Sequence, residues 1–169
     1  MGTTTAKVKA TAKEAVEVLS GYPGIFRHLA GEHSEVATLM KKVAGSSEGS
    51  TVREELFPEI RKKLLAHTKA EEQEFYDPLR RHPETEDLIA QATEEHEKVE
   101  GYLDELTSGN KATKTWMKIF ERMRRAVEAH VDMEENDIFP AAREVLSAEE
   151  AQEMEKRYQA LEEQVKQRL

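Results

Sequence analysis

The chain has 169 residues, with five Pro, eight Gly, no Cys and a formal net charge of −9. That length suits one domain with a core of its own, and the lack of cysteine excludes disulfides, thiolate metal sites and cysteine nucleophiles. The acidic balance, with no basic surface stretch, argues against nucleic acid as a partner. No apolar run approaches the roughly 20 residues of a membrane span, and no secretory signal is expected. The cytoplasm is the expected compartment.

Residues 1–22 read as an N-terminal extension, with a short amphipathic helix over about 5–19 that breaks at Gly21-Tyr22-Pro23-Gly24. Pro23 suits the first turn of a helix over 23–44, and Gly45-Ser46-Ser47-Glu48-Gly49-Ser50 is the clearest loop. A second helix is predicted over 52–81, with Pro58 and Pro78 as kink or end points. A third spans 84–107, Ser108-Gly109-Asn110 turns the chain, and a fourth spans 113–144. Ser147-Ala148-Glu149-Glu150 reads as a capping box for a terminal helix over 147–169, which would pack on the bundle or on a partner. Long amphipathic helices joined by short loops predict an all-α fold, an up-down-up-down four-helix bundle over 23–144.

The helices repeat at an offset of 63 residues. Ile25, Leu29, Val36, Met40 and Val43 map onto Leu88, Ala92, Val99, Leu103 and Leu106, and Ile60 and Leu64 map onto Met123 and Val127. With the histidines that fall among them counted, every step is three or four residues, the stripe of one helix face. Polar residues interrupt the stripes at the same offset: His33 with His96, His67 with His130, Glu71 with Glu134. In an antiparallel bundle rising about 1.5 Å per residue, the four histidines come to nearly one level.

His67 and Glu71, like His130 and Glu134, are four residues apart and share a face. Six such groups inside a bundle are costly unless something satisfies them, and a metal pair does so most directly. Imidazole nitrogen with carboxylate oxygen suits Fe, Mn or Zn. A carboxylate from each of two facing helices can bridge two ions and offset their repulsion, leaving positions open for a small ligand. Glu72 and Glu135, one step around the helix, read as solvated or as hydrogen-bond partners of the ligands. His28 is a further candidate, as ligand, hydrogen-bond partner or proton donor, and so is Glu100, as ligand or solvated face. Their repeat mates are Gln91 and Ala37, so these two are read as the groups that break the symmetry of the site. A tyrosine hydroxyl near the metals could act as ligand or proton donor, and spacing does not decide it.

The order His33, His67-x-x-x-Glu71, His96, His130-x-x-x-Glu134 resembles the hemerythrin-like family with its HHE cation-binding motifs. The resemblance covers about 23–144 and extends to the flanking Glu72, Phe75 and Tyr76 and to Glu135, Ile138, Phe139 and Pro140. It implies a non-haem di-iron centre with an oxo or hydroxo bridge, Zn or Mn being the lesser alternatives. His33 and His67 would serve one iron, His96 and His130 the other, with Glu71 and Glu134 bridging. Oxygen-carrying members have a second His on the third helix, where this chain has Ala92 and Glu100 on either side of His96. They also end on an Asp five after the His, where Glu134 here fits a spacing of four. More oxygen donation favours the ferric state and turns the expectation from reversible O2 carriage toward chemistry on O2, hydrogen peroxide or NO in a stress or detoxification role. That includes peroxidase- or catalase-like activity. The alternative is a non-enzymatic iron or oxygen sensor acting through its flanks. Either form would be a monomer or homodimer.

Overall fold

The computed structural model describes Tyr22 and residues 24–169. The helix expected over 5–19 lies outside the described residues. Those described are helical with no strand, and form the expected up-down-up-down bundle with a fifth helix laid against it. The helices are α1 (Ile25–Ala44), α2 (Val52–Glu71), α3 (Glu86–Ser108), α4 (Lys114–Met133) and α5 (Ala148–Arg168). No described helix is long and apolar enough to cross a membrane.

The stripes bury two separate apolar clusters. One gathers Ile25, Leu29, Phe75, Ile89, Phe139 and Met154 near the starts of α1 and α3. The other gathers Met40, Phe57, Leu103, Trp116, Phe120 and Met123 at the opposite end. Trp116 fills that end, donating from Nε1 to the Leu106 carbonyl at 3.0 Å. Each of the four histidines sits on its helix between a residue of the first cluster and one of the second. The bundle is therefore apolar, then polar, then apolar along its axis.

Where the sequence predicts helices over 52–81, with kinks or ends at its prolines, and over 113–144, α2 and α4 each pass into a π-helical turn, Glu72–Tyr76 and Glu134–Ile138. Pro78 and Pro140 each follow two residues after the turn. A proline has no N–H to donate and its ring crowds the carbonyl four residues back, so a wider turn ahead of it relieves both problems. The extra residue also changes what can be buried. Phe75 and Tyr76, about 100° apart on a regular helix, are both fully buried, as are Ile138 and Phe139.

The capping box of α5 forms as read: Ser147 Oγ accepts from the Glu150 N–H at 3.1 Å, and the Ser147 N–H donates to the Glu150 carboxylate at 3.2 Å. From there α5 packs Ala151, Met154 and Tyr158 onto the first cluster. Its first turn is seated against Gly24, which has φ +74°, a region favourable only to glycine. A Cβ there would lie 2.6 Å from the Ala151 carbonyl carbon and oxygen. Gly24→Ala is expected to lower stability by about 2 kcal/mol or more, or roughly 4–8 °C in Tm for a chain of this size. An unchanged melting curve would show that α5 does not depend on this contact.

Candidate metal centre

Four histidines, one from each bundle helix, turn one ring nitrogen inward and the other outward. Every outward Nδ1 meets a carboxylate: Glu135 for His33 at 2.9 Å, Glu32 for His67 at 2.8 Å, Glu72 for His96 at 2.9 Å and Glu95 for His130 at 2.8 Å. A carboxylate can only accept, so each Nδ1 carries the proton. With Nδ1 so engaged, each Nε2 faces inward, the orientation that ligating imidazoles are given by such partners.

Glu71 and Glu134 face these nitrogens, and both are fully buried. Glu71 Oε2 lies 3.4 Å from His67 Nε2, and its Oε1 lies 3.2 Å from His96 Nε2. Glu134 Oε1 lies 3.2 Å from His33 Nε2, and its Oε2 lies 3.7 Å from His130 Nε2. Each carboxylate thus reaches across, with one oxygen toward each histidine pair. Donor atoms within 4.8 Å of one another form two groups sharing Glu71: His33, His67, Glu71 and Glu134, then Glu71, His96 and His130. His33 Nε2, both Glu71 oxygens and Glu134 Oε1 are buried without a hydrogen-bond partner. Buried polar atoms of that number are costly and uncommon, and here all converge on one spot. The inward imidazole nitrogens and the carboxylate charge suit a pair of hard-to-intermediate cations.

The charge balance has a definite direction. Burial opposes a charge on His33, but the adjacent Glu134 and Glu135 carboxylates outweigh it and push its pKa up to about 10. Burial likewise opposes charge on His96, and Glu71 and Glu72 push it up to about 9. The imidazoles hold Glu134 well below the usual carboxylate range despite its burial. The buried carboxylates therefore favour positive charge at this spot.

The six residues His33, His67, Glu71, His96, His130 and Glu134, predicted as ligands, are brought together. Glu72 and Glu135 take the predicted place of outer partners. Glu100 stands on the exposed face of α3, outside both donor groups; partial burial and repulsion from Glu72 raise its carboxyl above the ordinary range. His28 is turned away from the centre toward α5. Its Nε2 lies 3.3 Å from Glu32 Oε1 and 3.9 Å from Glu162 Oε2, and its Nδ1 lies 3.8 Å from Glu155 and 3.2 Å from the Gln159 amide. It faces Glu32 and α5, not the space between Glu71 and Glu134.

The sequence reading missed two groups and left a third, a tyrosine near the centre, undecided. Glu32 and Glu95 are repeat mates, each directly preceding a ligand in the dipeptides Glu32-His33 and Glu95-His96. Tyr76 is the third, and it corrects the reading that only His28 and Glu100 break the repeat, because its mate is Phe139. The two rings occupy matching places, Tyr76 stacked on His96 with centroids 5.2 Å apart and Phe139 on His33 at 6.4 Å. The Tyr76 hydroxyl donates to Glu134 Oε2 and lies 3.4 Å from His130 Nε2. Burial and the neighbouring Glu134 and Glu71 hold this phenol well above its ordinary pKa, so it remains a donor.

The nearby Glu162 and Glu32 carboxylates outweigh burial and push His28 up to about 10 from an ordinary 6.5. A group with its folded pKa raised stabilises the fold fully below its unfolded pKa and loses that contribution as pH climbs through the folded value. The Tm difference between the wild type and His28→Gln should therefore be largest near pH 6 and close as the pH approaches 10. Melts of metal-free protein across that range test this, and a constant gap would overturn it.

A model of the Hemerythrin HHE cation binding domain matches residues 24–142. Among curated proteins no relative matches. Among solved structures, a hemerythrin HHE cation-binding domain-containing protein from Mycobacterium kansasii superposes with a TM-score of 0.76 at 26% identity, covering 86% of this chain and 89% of that one. With the family match spanning most of the sequence and its motif residues gathered into one buried cluster, the chain belongs to the hemerythrin HHE cation-binding domain family.

Proposed function

We propose that this protein is a non-haem di-iron protein that binds or reduces small oxygen or nitrogen species, O2, hydrogen peroxide or NO, in a stress or detoxification role. The observation that carries the reading is the pair of buried carboxylates, each with one oxygen toward each histidine pair and three of their four oxygens without a hydrogen-bond partner. His33 and His67 would hold one iron, His96 and His130 the other, with Glu71 and Glu134 spanning both. Bound there, the irons would supply redox and Lewis-acid chemistry toward the small ligand.

The chain's own residues limit what reaches that spot. A cavity of about 30 Å³ adjoins the four imidazoles on the side of Val36, Leu64, Val99 and Val127. A water molecule needs about 10–15 Å³ of such space, so the cavity suits a diatomic or a peroxide and no organic substrate. Its apolar wall excludes bulk water, and Tyr76 holds a proton close to Glu134 and His130. Peroxidase- or catalase-like turnover fits these features, in a cytoplasmic monomer or homodimer.

A sensor is the second reading, and one observation favours it. The Tyr158 hydroxyl of α5 donates to Glu32, which holds His67, so the geometry of a ligand and the docking of a flanking helix are linked. Sustained peroxide consumption by loaded protein supports the enzyme; occupancy without turnover supports the sensor.

Protein produced with iron in excess is expected to carry about two irons per chain and to lose them when His67→Ala and His130→Ala are combined. Elemental analysis with an optical spectrum reads both. Stoichiometric zinc without iron uptake, or iron retained by the double variant, would sink the proposal. Because metal binds only the folded site, chelation should also lower Tm, by an amount equivalent to several kcal/mol for a tight ion; identical melts with and without metal would count against it.

A further inference from the structure

The ring of outer carboxylates obeys the 63-residue repeat. Glu32 on His67 matches Glu95 on His130, and Glu72 on His96 matches Glu135 on His33. What holds those carboxylates does not obey it. On the His130 side, Glu95 Oε1 accepts from the Gln91 amide at 3.1 Å, one turn earlier on the same helix. On the His67 side, the repeat mate of Gln91 is His28, which faces Glu32 Oε1 from the same distance along its helix. Glu32 Oε2, which already accepts from His67 Nδ1, also accepts the hydroxyl of Tyr158. That hydroxyl lies 3.0 Å from His67 Nδ1 itself.

Tyr158 comes from α5, and the repeat has no second copy of α5. Its ring is fully buried, packed edge-on to His28 at 5.3 Å and to His67 at 6.1 Å. Burial and the nearby Glu32 hold its phenol well above the ordinary range, so it donates throughout neutral pH. The Glu32 side chain is 16% exposed where its counterpart Glu95 is 28% exposed. One carboxylate is clamped by a neighbouring helix and the other is braced only by its own.

We propose that Tyr158 is a positioning residue that makes the two metal positions unequal, through Glu32, by fixing the imidazole of His67 while His130 stays looser. This rests on the metal reading of the centre and goes one step past it. The clamp holds the Glu32 carboxylate, hence the direction of the Nδ1–H bond, hence the plane of the ring and the aim of Nε2. An ion held by His33 and His67 then meets a ligand already in place. An ion held by His96 and His130 meets one that must be ordered on binding, and ordering a side chain costs free energy.

The test uses cobalt(II) as probe, read by its visible absorption and by the hyperfine-shifted, exchangeable N–H signals of the ligating imidazoles. Wild-type protein should take up two ions in steps of different affinity and show one Nδ1–H signal for each of four histidines. Tyr158→Phe keeps the ring and removes only the hydroxyl. It should weaken one of the two steps about tenfold, within the range for loss of a partner outside the ligand shell. It should also move the His67 signal and leave the other three. Gln91→Ala should move the His130 signal instead. Superimposable titrations and spectra for wild type and Tyr158→Phe would overturn the proposal. So would equal movement of all four signals, which marks a general loosening of the fold and not a positioning role. Failure of the wild type itself to take up cobalt would remove the metal reading, and this inference with it, whatever the variants did.

Discussion

Two ionisable carboxylates, fully buried and facing four imidazoles across the axis of the bundle, set the terms for everything around them. Glu71 and Glu134 cannot be left charged in an apolar interior without compensation. The helices supply it at close range: one histidine from each, with all four outward nitrogens tied to carboxylates nearer the surface. The result is a polar layer with three shells, carboxylate within imidazole within carboxylate. The two apolar clusters lie above and below it and keep it from bulk water. Between the two clusters, the layer requires one histidine from each of the four helices to stand at one height. The register of the bundle is therefore tied to the register of the site.

Backbone geometry follows from the same demand. A helix that points His67 and Glu71 inward, and then Phe75 and Tyr76, needs one residue more than a regular spiral provides over that span. The π-helical turns at Glu72–Tyr76 and Glu134–Ile138 provide it. Such turns cost backbone hydrogen-bond quality and are found mostly where a site requires them. Their recurrence in both halves ties the extra residue to the site and not to an accident of either helix. Pro78 and Pro140 stabilise the choice, since each would strain a regular turn in the same place.

The repeat made most of this legible. An apolar stripe reports burial, and a polar residue within it reports a buried group that needs a partner, so His33, His67, Glu71, His96, His130 and Glu134 stand out without structural knowledge. The helix order and the capping box at Ser147 were legible because their signals are local. What was missed depended on contacts between helices. Glu32 and Glu95 look like ordinary solvated positions until a neighbouring helix places an imidazole beside each. The π-helical turns were missed because a regular spiral was assumed for any residue not at a break, although the paired prolines carried a hint. Which of the roles open to His28 it takes was not legible for a related reason: only the docking of α5 decides that it faces Glu32 and Glu162 and not the centre.

The departures from symmetry point to how a duplicated bundle acquires unequal halves. Tyr76 and Phe139 occupy equivalent places, yet only Tyr76 carries a hydroxyl, and it falls on the side of His96 and His130. Tyr158 falls on the side of His33 and His67 and acts from outside the imidazole shell. One pair has a proton donor close to its inner carboxylate; the other has its outer carboxylate clamped by a fifth helix. These are different interventions, one beside the space where a ligand would react and the other on the rigidity of a ligating ring. They also differ in reach. Tyr76 belongs to the bundle and answers only to it, whereas Tyr158 connects His67 to a helix with an exposed outer face. A change in how α5 docks would therefore act on one half of the centre and spare the other, a selectivity that a symmetric bundle of four helices could not have.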